Sequence, residues 1–275
     1  MTARSQRGLG LAAGGVLALL FTLLGAFQIA AWTVGAVERT NHQVFPGAVE
    51  RVTVDAGDGE ILVVAGADSE VRVDSTVHGS WHTPKLRAVR VGDEVRLRAH
   101  CPGFSIGPCR ASLVIHVPAA TAVDVRAGAG DLTANGVSGN VQLRTGSGDV
   151  QADGLSGAVD LRTGSGDVST RGLGGDVTLR TASGDVSAEA LSSARVKAVT
   201  SSGDVDLDFV SAPRDVDAAS ASGDVQIALP RGEAYRVEVD TGSGDSRTDV
   251  RTDPEGKRVV RARTGSGDVT VDYRN

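Results

Sequence analysis

The sequence has few aromatic residues: 5 Phe, 2 Tyr and 2 Trp among 275 residues. A core without aromatic rings must be filled by small aliphatic side chains. The 36 glycines, in contrast, indicate many backbone positions at which a side chain would obstruct the chain. Together with 40% apolar content, this composition predicts an all-β protein of many short strands joined by tight turns.

The sequence also lacks a basic excess and the common catalytic motifs. A formal net charge of -6 argues against a nucleic-acid partner, because there is no surplus of positive charge to displace phosphate counterions. No nucleophile elbow, phosphate loop or dinucleotide fingerprint occurs. The histidines at 78, 82, 100 and 116 do not have the paired spacing of a zinc site. We therefore expect no enzyme activity, no catalytic residues and no cofactor.

The N-terminus contains one long uncharged segment, residues 8–37. In a helix this segment is long enough to cross a hydrocarbon core of about 30 Å. Arg4 and Arg7 precede it, which favours a cytoplasmic N-terminus, residues 1–7. The prediction is a signal anchor that crosses the plasma membrane once and leaves the rest extracytoplasmic. The alternative is a cleaved signal peptide, for which residues 34–36 offer a small-residue cleavage site.

Only two cysteines occur, and they close a short loop rich in proline and glycine. Cys101 and Cys109 are separated by Pro-Gly-Phe-Ser-Ile-Gly-Pro. In an exported chain this arrangement predicts a disulfide that fixes the shape of the loop.

The second half of the chain is built on a repeat, Thr-Gly-Ser-Gly-Asp or a close variant. The motif ends at Asp131, Asp149, Asp167, Asp185, Asp204, Asp224, Asp245 and Asp268. The steps between these aspartates are 18, 18, 18, 19, 20, 21 and 23 residues. A nearly fixed period of this size indicates stacked structural units.

Alignment on the aspartate shows two strands in each repeat. A valine stands eight residues before every aspartate, and apolar or small residues follow at intervals of two, which is typical of a strand with one buried face. A second alternating stretch begins directly after the aspartate, and the intervening Gly-Ser-Gly or Ala-Ser-Gly predicts a tight corner. The prediction is a single-stranded β-solenoid (β-helix) of about eight coils with 18–23 residues each, behind an N-terminal transmembrane helix.

The repeat lengthens toward the C-terminus at one place only. The added residues enter the return from one coil to the next, in the segments 208–215, 228–236 and 249–259. Insertions confined to one face of a repeat protein can mark its binding surface. Neutral drift in exposed loops is the alternative.

The residues before the repeats are expected to form strands as well. Val52 to Ile61 has the same skeleton, with Glu60 in place of the aspartate. We divide the exported part into a linker at 38–47, an N-terminal β region at 48–118 that carries the disulfide loop and caps the stack, and solenoid repeats at 119–275.

Two columns of charge could form sites. The aspartates are expected to accept hydrogen bonds from turn amides. Alternatively, five of them are weak candidates for calcium ligands: Asp149, Asp167, Asp185, Asp204 and Asp224. Arg126, Arg144, Arg162 and Arg180 form an outward column, which predicts either a solvated mixed-charge face or a contact for an anionic polymer.

An anchor followed by repeated Gly-Ser-Gly-Asp-Val units resembles the bacterial putative-adhesin family, whose exported domains consist of β-strand repeats and have no known function. The resemblance covers about residues 48–273. It implies a non-enzymatic adhesin or a module that binds a cell-wall polymer, a glycan or another envelope protein. Two alternatives stay open: an envelope-stress or scaffold protein that contacts a membrane partner, and a calcium-stabilised β-roll.

Overall fold

The computed structural model describes residues 37–79, 85–100 and 109–274. Within these ranges the chain forms strands and no helix. The strands are β1 (Val37–Phe45), β2 (Arg51–Asp58), β3 (Ile61–Gly66), β4 (Val71–Gly79), β5 (Lys85–Val91), β6 (Glu94–His100), β7 (Cys109–Pro118), β8 (Ala122–Ala129), β9 (Leu132–Asn135), β10 (Val141–Ser147), β11 (Val150–Asp153), β12 (Val159–Ser165), β13 (Val168–Arg171), β14 (Val177–Ser183), β15 (Val186–Leu191), β16 (Arg195–Ser202), β17 (Val205–Phe209), β18 (Asp215–Ser222), β19 (Val225–Leu229), β20 (Arg236–Ser243), β21 (Ser246–Thr248), β22 (Val259–Ser266) and β23 (Val269–Tyr273).

These strands form two sheets that are mainly parallel. The first has the order β1-β4-β7-β3-β9-β11-β13-β15-β17-β19-β23-β21, and the second has the order β20-β22-β18-β16-β14-β12-β10-β8-β2-β6-β5. Every Gly-Asp repeat gives its longer strand to the second sheet and its shorter strand to the first. The all-β, solenoid-like architecture predicted from the repeat is thereby confirmed.

The core lies between the sheets as columns of identical or similar side chains. In the second sheet Val141 pairs with Val159 and Leu143 with Leu161, and all four are buried. A further column was not predicted; in the earlier coils it lies in the return, and in the later coils it is formed by the last residues of β15, β17 and β19. It contains the buried residues Val137, Leu155, Leu173, Leu191, Phe209 and Leu229.

The order of coils in the stack differs from the order in the chain at both ends. Near the C-terminus, β18 pairs with β22 and β22 with β20, so the coil of residues 259–273 lies between its two predecessors. Near the N-terminus, β2 pairs with both β6 and β8. The coil of residues 51–66 therefore lies inside the coil formed by β6 and β7.

The long returns near the C-terminus make these crossings and cover the last coil. Tyr235 donates its N–H to the Arg251 carbonyl at 3.0 Å, and its own carbonyl accepts from the Asp253 N–H at 2.9 Å. Val250 packs against the core. We call residues 249–258 the cap segment, because they cover the beginning of β20 at the end of the stack.

The N-terminal end of the stack is antiparallel. β4 pairs with β7, β1 with β4, and β5 with β6, all antiparallel. The sequence analysis predicts a linker at 38–47, but most of this segment belongs to the edge strand β1. Main-chain hydrogen bonds to β4 hold this strand, and its polar sequence gives no sign of them. Both sheets run without a break past residue 118, where the sequence analysis divides the chain.

Two predictions fall on residues that are not described. The predicted transmembrane helix, apart from Val37, lies outside the described ranges, as does the predicted disulfide with Cys101 and the side chain of Cys109. In the part of the chain that is described, no helix has the length and apolar character needed to span a membrane.

Candidate functional site

The aspartates of the repeat form a continuous hydrogen-bonded ladder along one edge of the stack. The Asp149 N–H donates to Asp131 Oδ1 at 2.9 Å, and the Asp167 N–H donates to Asp149 Oδ1 at 2.9 Å. The ladder continues through Asp185, Asp204, Asp224 and Asp268 and ends with Asp245. Each carboxylate except that of Asp245 thus accepts a main-chain N–H bond from the next coil, as the structural interpretation of these residues predicts.

Glycine and threonine complete the corner beside each aspartate. Gly148 and Gly166 have φ of 124° and 134°, in the region that favours glycine. The hydroxyl of Thr163 donates to the Gly148 carbonyl at 2.8 Å, and that of Thr181 to the Gly166 carbonyl at 2.9 Å. The corner therefore ties each coil to its neighbour through both side chains and main chain.

We call this row of aspartates and the glycine corners beside it the corner ladder. Its carboxylates are not gathered around one point. Within the described ranges, no group of three or more His, Cys, Asp or Glu side chains is arranged to hold a metal ion. The five calcium candidates lie in successive coils, and each uses Oδ1 for a neighbouring amide.

The outer face of the second sheet carries a longer column of arginines than the repeat predicts. The predicted column of Arg126, Arg144, Arg162 and Arg180 is in register across four strands. It continues toward the N-terminal end through Asp55, then Arg98 and finally Arg87. We call these seven positions the arginine ladder: Arg87, Arg98, Asp55, Arg126, Arg144, Arg162 and Arg180.

Three of the six arginines form ion pairs with two nearby carboxylates. Arg126 pairs with Asp124 at 2.9 Å. Asp160 pairs with Arg144 at 3.2 Å and with Arg162 at 2.8 Å. In contrast, Arg87, Arg98 and Arg180 form no ion pair with any described residue. The ladder is therefore a positively charged strip with three guanidinium groups free of carboxylate partners.

Asp160 is the carboxylate that pairs with two arginines of the ladder. Partial burial alone would raise its pKa, but hydrogen bonds and charge attraction from Arg162, with further bonds from Gln142 and Arg144, hold the pKa below the usual range of a carboxyl. Asp160 is consequently ionised at neutral pH and holds two arginines in place.

Comparison with known proteins gives the family. The model of the Toastrack DUF4097 family matches residues 49–272, which includes every Gly-Asp repeat and β2 to β7. The chain belongs to the Toastrack DUF4097 family. No curated protein matches the sequence.

Two crystal structures have a similar fold. A putative adhesin from Parabacteroides distasonis is 14% identical with a TM-score of 0.53, and the match covers 86% of this chain and 97% of that chain. A putative adhesin from Bacteroides fragilis is 12% identical with a TM-score of 0.52, covering 86% and 99% of the two chains. At these identities the similarity shows the fold alone.

Sequence reasoning found the arginines inside the Toastrack repeats and missed those before them. Arg98 is aligned with the column only because β6 lies beside β2 in the sheet. Arg87 is aligned because β5 turns back along β6. The alternation from Glu94 to Arg98 shows which side chains face outward. It does not show that β6 lies beside β2, because that depends on the order in which the coils stack.

Glu94 at the N-terminal end of this face has a strongly lowered pKa. A hydrogen bond from Arg96 at 2.7 Å contributes most, followed by one from the Thr53 hydroxyl at 2.7 Å, and the pKa falls to about 2. A carboxyl whose pKa is lower in the folded state than in the unfolded state stabilises the fold at pH values above its unfolded pKa. The contribution of Glu94 is therefore lost as the pH falls from about 4.5 to about 2.

We expect an NMR titration of the Glu94 carboxyl to give a midpoint near 2. Arg96→Gln should move that midpoint toward the ordinary value of 4.5. Arg98→Gln changes the next outward residue of the same strand and should leave the midpoint in place. An unshifted midpoint in Arg96→Gln would show that the ion pair does not set the pKa.

Proposed function

We propose that this chain is a non-enzymatic, membrane-anchored and extracytoplasmic binding module whose arginine ladder holds an anionic polymer of the cell envelope. The observation that carries the proposal is the register of six arginines across seven neighbouring strands. The distant relatives of the same fold bear the name putative adhesin, which agrees with a role in surface binding.

The anchor in this proposal is the apolar segment 8–37. Its length and the preceding Arg4 and Arg7 support one membrane crossing with the strands outside the cytoplasm. β1 begins at Val37 and lies at the N-terminal end of the first sheet. Such an anchor would place Arg87 and Arg98 at the end of the ladder that is nearer the membrane.

The geometry of the ladder suits a repeating anion. Neighbouring strands lie about 4.8 Å apart, so seven positions span roughly 29 Å. A polymer with phosphate or carboxylate groups at regular intervals could contact several guanidinium groups at once, and guanidinium matches the shape of these anions. Several weak contacts along one chain combine into useful affinity.

The long returns, the surface that the sequence favours for binding, are tied to the stack by hydrogen bonds and an ion pair. Arg258 donates to the carbonyls of Ala212 and Pro213 at 3.0 and 3.1 Å and pairs with Glu233 at 3.2 Å. The Arg251 N–H donates to the Tyr273 hydroxyl at 2.8 Å. We therefore place the binding surface on the ladder, with the returns serving to cross and cap the stack.

A matched pair of triple variants tests this function. Arg87→Gln, Arg98→Gln and Arg180→Gln together remove the three arginines without carboxylate partners and break no ion pair. We expect binding of soluble poly(glycerol phosphate), measured by calorimetry on residues 37–275, to weaken by about tenfold or more. This fragment keeps every described strand and the described core, which extends from Val49 to Val271.

The control removes the same charge elsewhere, with Arg110→Gln, Arg214→Gln and Arg251→Gln, three exposed arginines that also form no ion pair with any described residue. It should bind almost as tightly as the wild type, and a neutral dextran should not bind. Equal losses in both triple variants would reduce the effect to overall charge and overturn the ladder as a site. Undetectable wild-type binding at low salt, where such contacts are strongest, would favour the scaffold alternative.

A further inference from the structure

The outer edge of β20 is an unpaired strand edge at the C-terminal end of the stack. β20 is the last strand of the second sheet and pairs with β22 alone among the described strands. An edge of this kind presents main-chain N–H and C=O groups that can accept another strand.

The hydrogen bonds of β20 show which of its main-chain groups point outward. The Arg236 N–H donates inward at 2.8 Å to the carbonyl of Arg258, which directly precedes β22, whereas the Tyr235 N–H donates outward to the Arg251 carbonyl of the cap segment. Main-chain groups alternate sides along a strand, so those of Val237 and Val239 also point outward. No described main-chain hydrogen bond joins the cap segment to the outward groups of Val237 and Val239.

The core is also incompletely covered at this end. Val260 and Ala262 in the neighbouring strand are fully buried, but their counterparts in β20, Val237 and Val239, are only half-buried. Ser246 is exposed where the other repeats have a buried residue. A further strand beside β20 would complete the burial of both valines.

We propose that a second copy of this chain occupies this edge, with the two β20 strands antiparallel about a twofold axis at Glu238. This register joins the outward main-chain groups of Val237 to those of the partner's Val239, and the reverse pair follows by symmetry. The same register sets Arg236 opposite the partner's Asp240. The sequence Arg-Val-Glu-Val-Asp is thus complementary to itself in hydrogen bonding and in the charges of its two ends.

Among the charges at the edge, Asp240 is available for this pairing. Asp240 is exposed and forms no ion pair within the described ranges. Glu238 faces its own symmetry copy, but Arg236 at 3.2 Å and Arg261 at 3.3 Å already neutralise it. Arg236 lies between Glu238 and the partner's Asp240. An unrelated peptide would need the same alternation of charge, which a second copy supplies by symmetry.

Charge exchange tests the register on the full chain in detergent micelles. We expect analytical ultracentrifugation of a concentration series to show a reversible monomer–dimer equilibrium for the wild type. Asp240→Arg should weaken the dimer at least tenfold, because two arginines would then face each other. Addition of Arg236→Asp to this variant reverses both charges and should restore the dimer, while thermal melting reports whether each variant is folded.

A cysteine at the twofold axis gives a second, independent readout. Facing residues in a non-hydrogen-bonded antiparallel pair lie about 4.5 Å apart at Cα, within the range of a disulfide. Glu238→Cys should therefore form a covalent dimer on mild oxidation, seen on a non-reducing gel. Ser169→Cys, exposed on the other sheet, should stay monomeric like the oxidised wild type.

Several outcomes would overturn the proposal. A wild type that stays monomeric at every concentration, a dimer unaffected by Asp240→Arg, or equal crosslinking of both cysteine variants would each do so. A dimer lost in Asp240→Arg and not restored by the double exchange would reject this register. The ladder variants Arg87→Gln, Arg98→Gln and Arg180→Gln should dimerise normally, so failure of polymer binding and failure of dimerisation can be told apart.

Discussion

Replacement of Gly166 by alanine is expected to destabilise the protein by more than about 3 kcal/mol. Gly166 has φ of 134°, and a Cβ there would lie 2.6 Å from the Gly148 carbonyl carbon and 2.8 Å from Asp149 Oδ1. These atoms belong to the corner ladder and cannot move without breaking the bond from the Asp167 N–H to Asp149. The loss should appear as a lower midpoint and free energy of unfolding in denaturant.

Gly154→Ala is the matched control. Gly154 also has a positive φ, 65°, but no atom lies within 4 Å of a Cβ built there. This variant should therefore lose only the conformational cost of about 1 kcal/mol. Similar losses for the two variants would mean that backbone conformation, and not the close approach of successive coils, makes glycine necessary at the corner.

Val168→Asp should have the largest effect on stability, more than about 4 kcal/mol. Val168 is 0% exposed and pairs with Val150 on one side and Val186 on the other. A carboxylate at this position would face an apolar column with no cation to pair with. Because each coil is supported by its neighbours, the damage should extend beyond the altered coil.

Hydrogen exchange measures that extension. We expect lost amide protection in β11 and β15 as well as in β13, together with a lower midpoint of unfolding. Ser169→Asp places the same charge one residue further on, where the side chain is exposed, and should change the free energy by about 0.5 kcal/mol or less. Loss confined to β13 in Val168→Asp would show that the coils unfold independently.

The repeats could be predicted from the sequence in detail because their signal is local and recurs. The valine of each first strand, the paired strands and the glycine corner follow from residues within one period. The bond from each aspartate to a neighbouring amide followed as well, since aspartate beside glycine and serine suits a turn. These residues act in the same way in each coil, so eight copies of the pattern reinforce one another.

The stacking order and the full arginine ladder could not be predicted in this way. Whether β22 lies outside β20 or inside it depends on contacts between residues far apart in the chain, and both arrangements bury similar valines. The partners of Arg98 and Arg87 depend on the same kind of choice at the other end. The third buried column recurs every 18 residues from Val137 to Phe209, so this column could have been predicted. It was missed because only the alternation within the two strands of each repeat was followed.

The inserted coil at residues 259–273 bears on the order in which the chain can fold. The Asp268 N–H binds Asp224 across a separation of 44 residues, whereas the Asp224 N–H reaches Asp204 across 20. During synthesis from the N-terminus, residues 236–248 appear before the strands on which they pack. They must therefore wait until β22 and β23 arrive. Assembly up to β19 can follow the ribosome, but the final two coils should form together in one slower step, because long-range pairing pays its loop-closure entropy first.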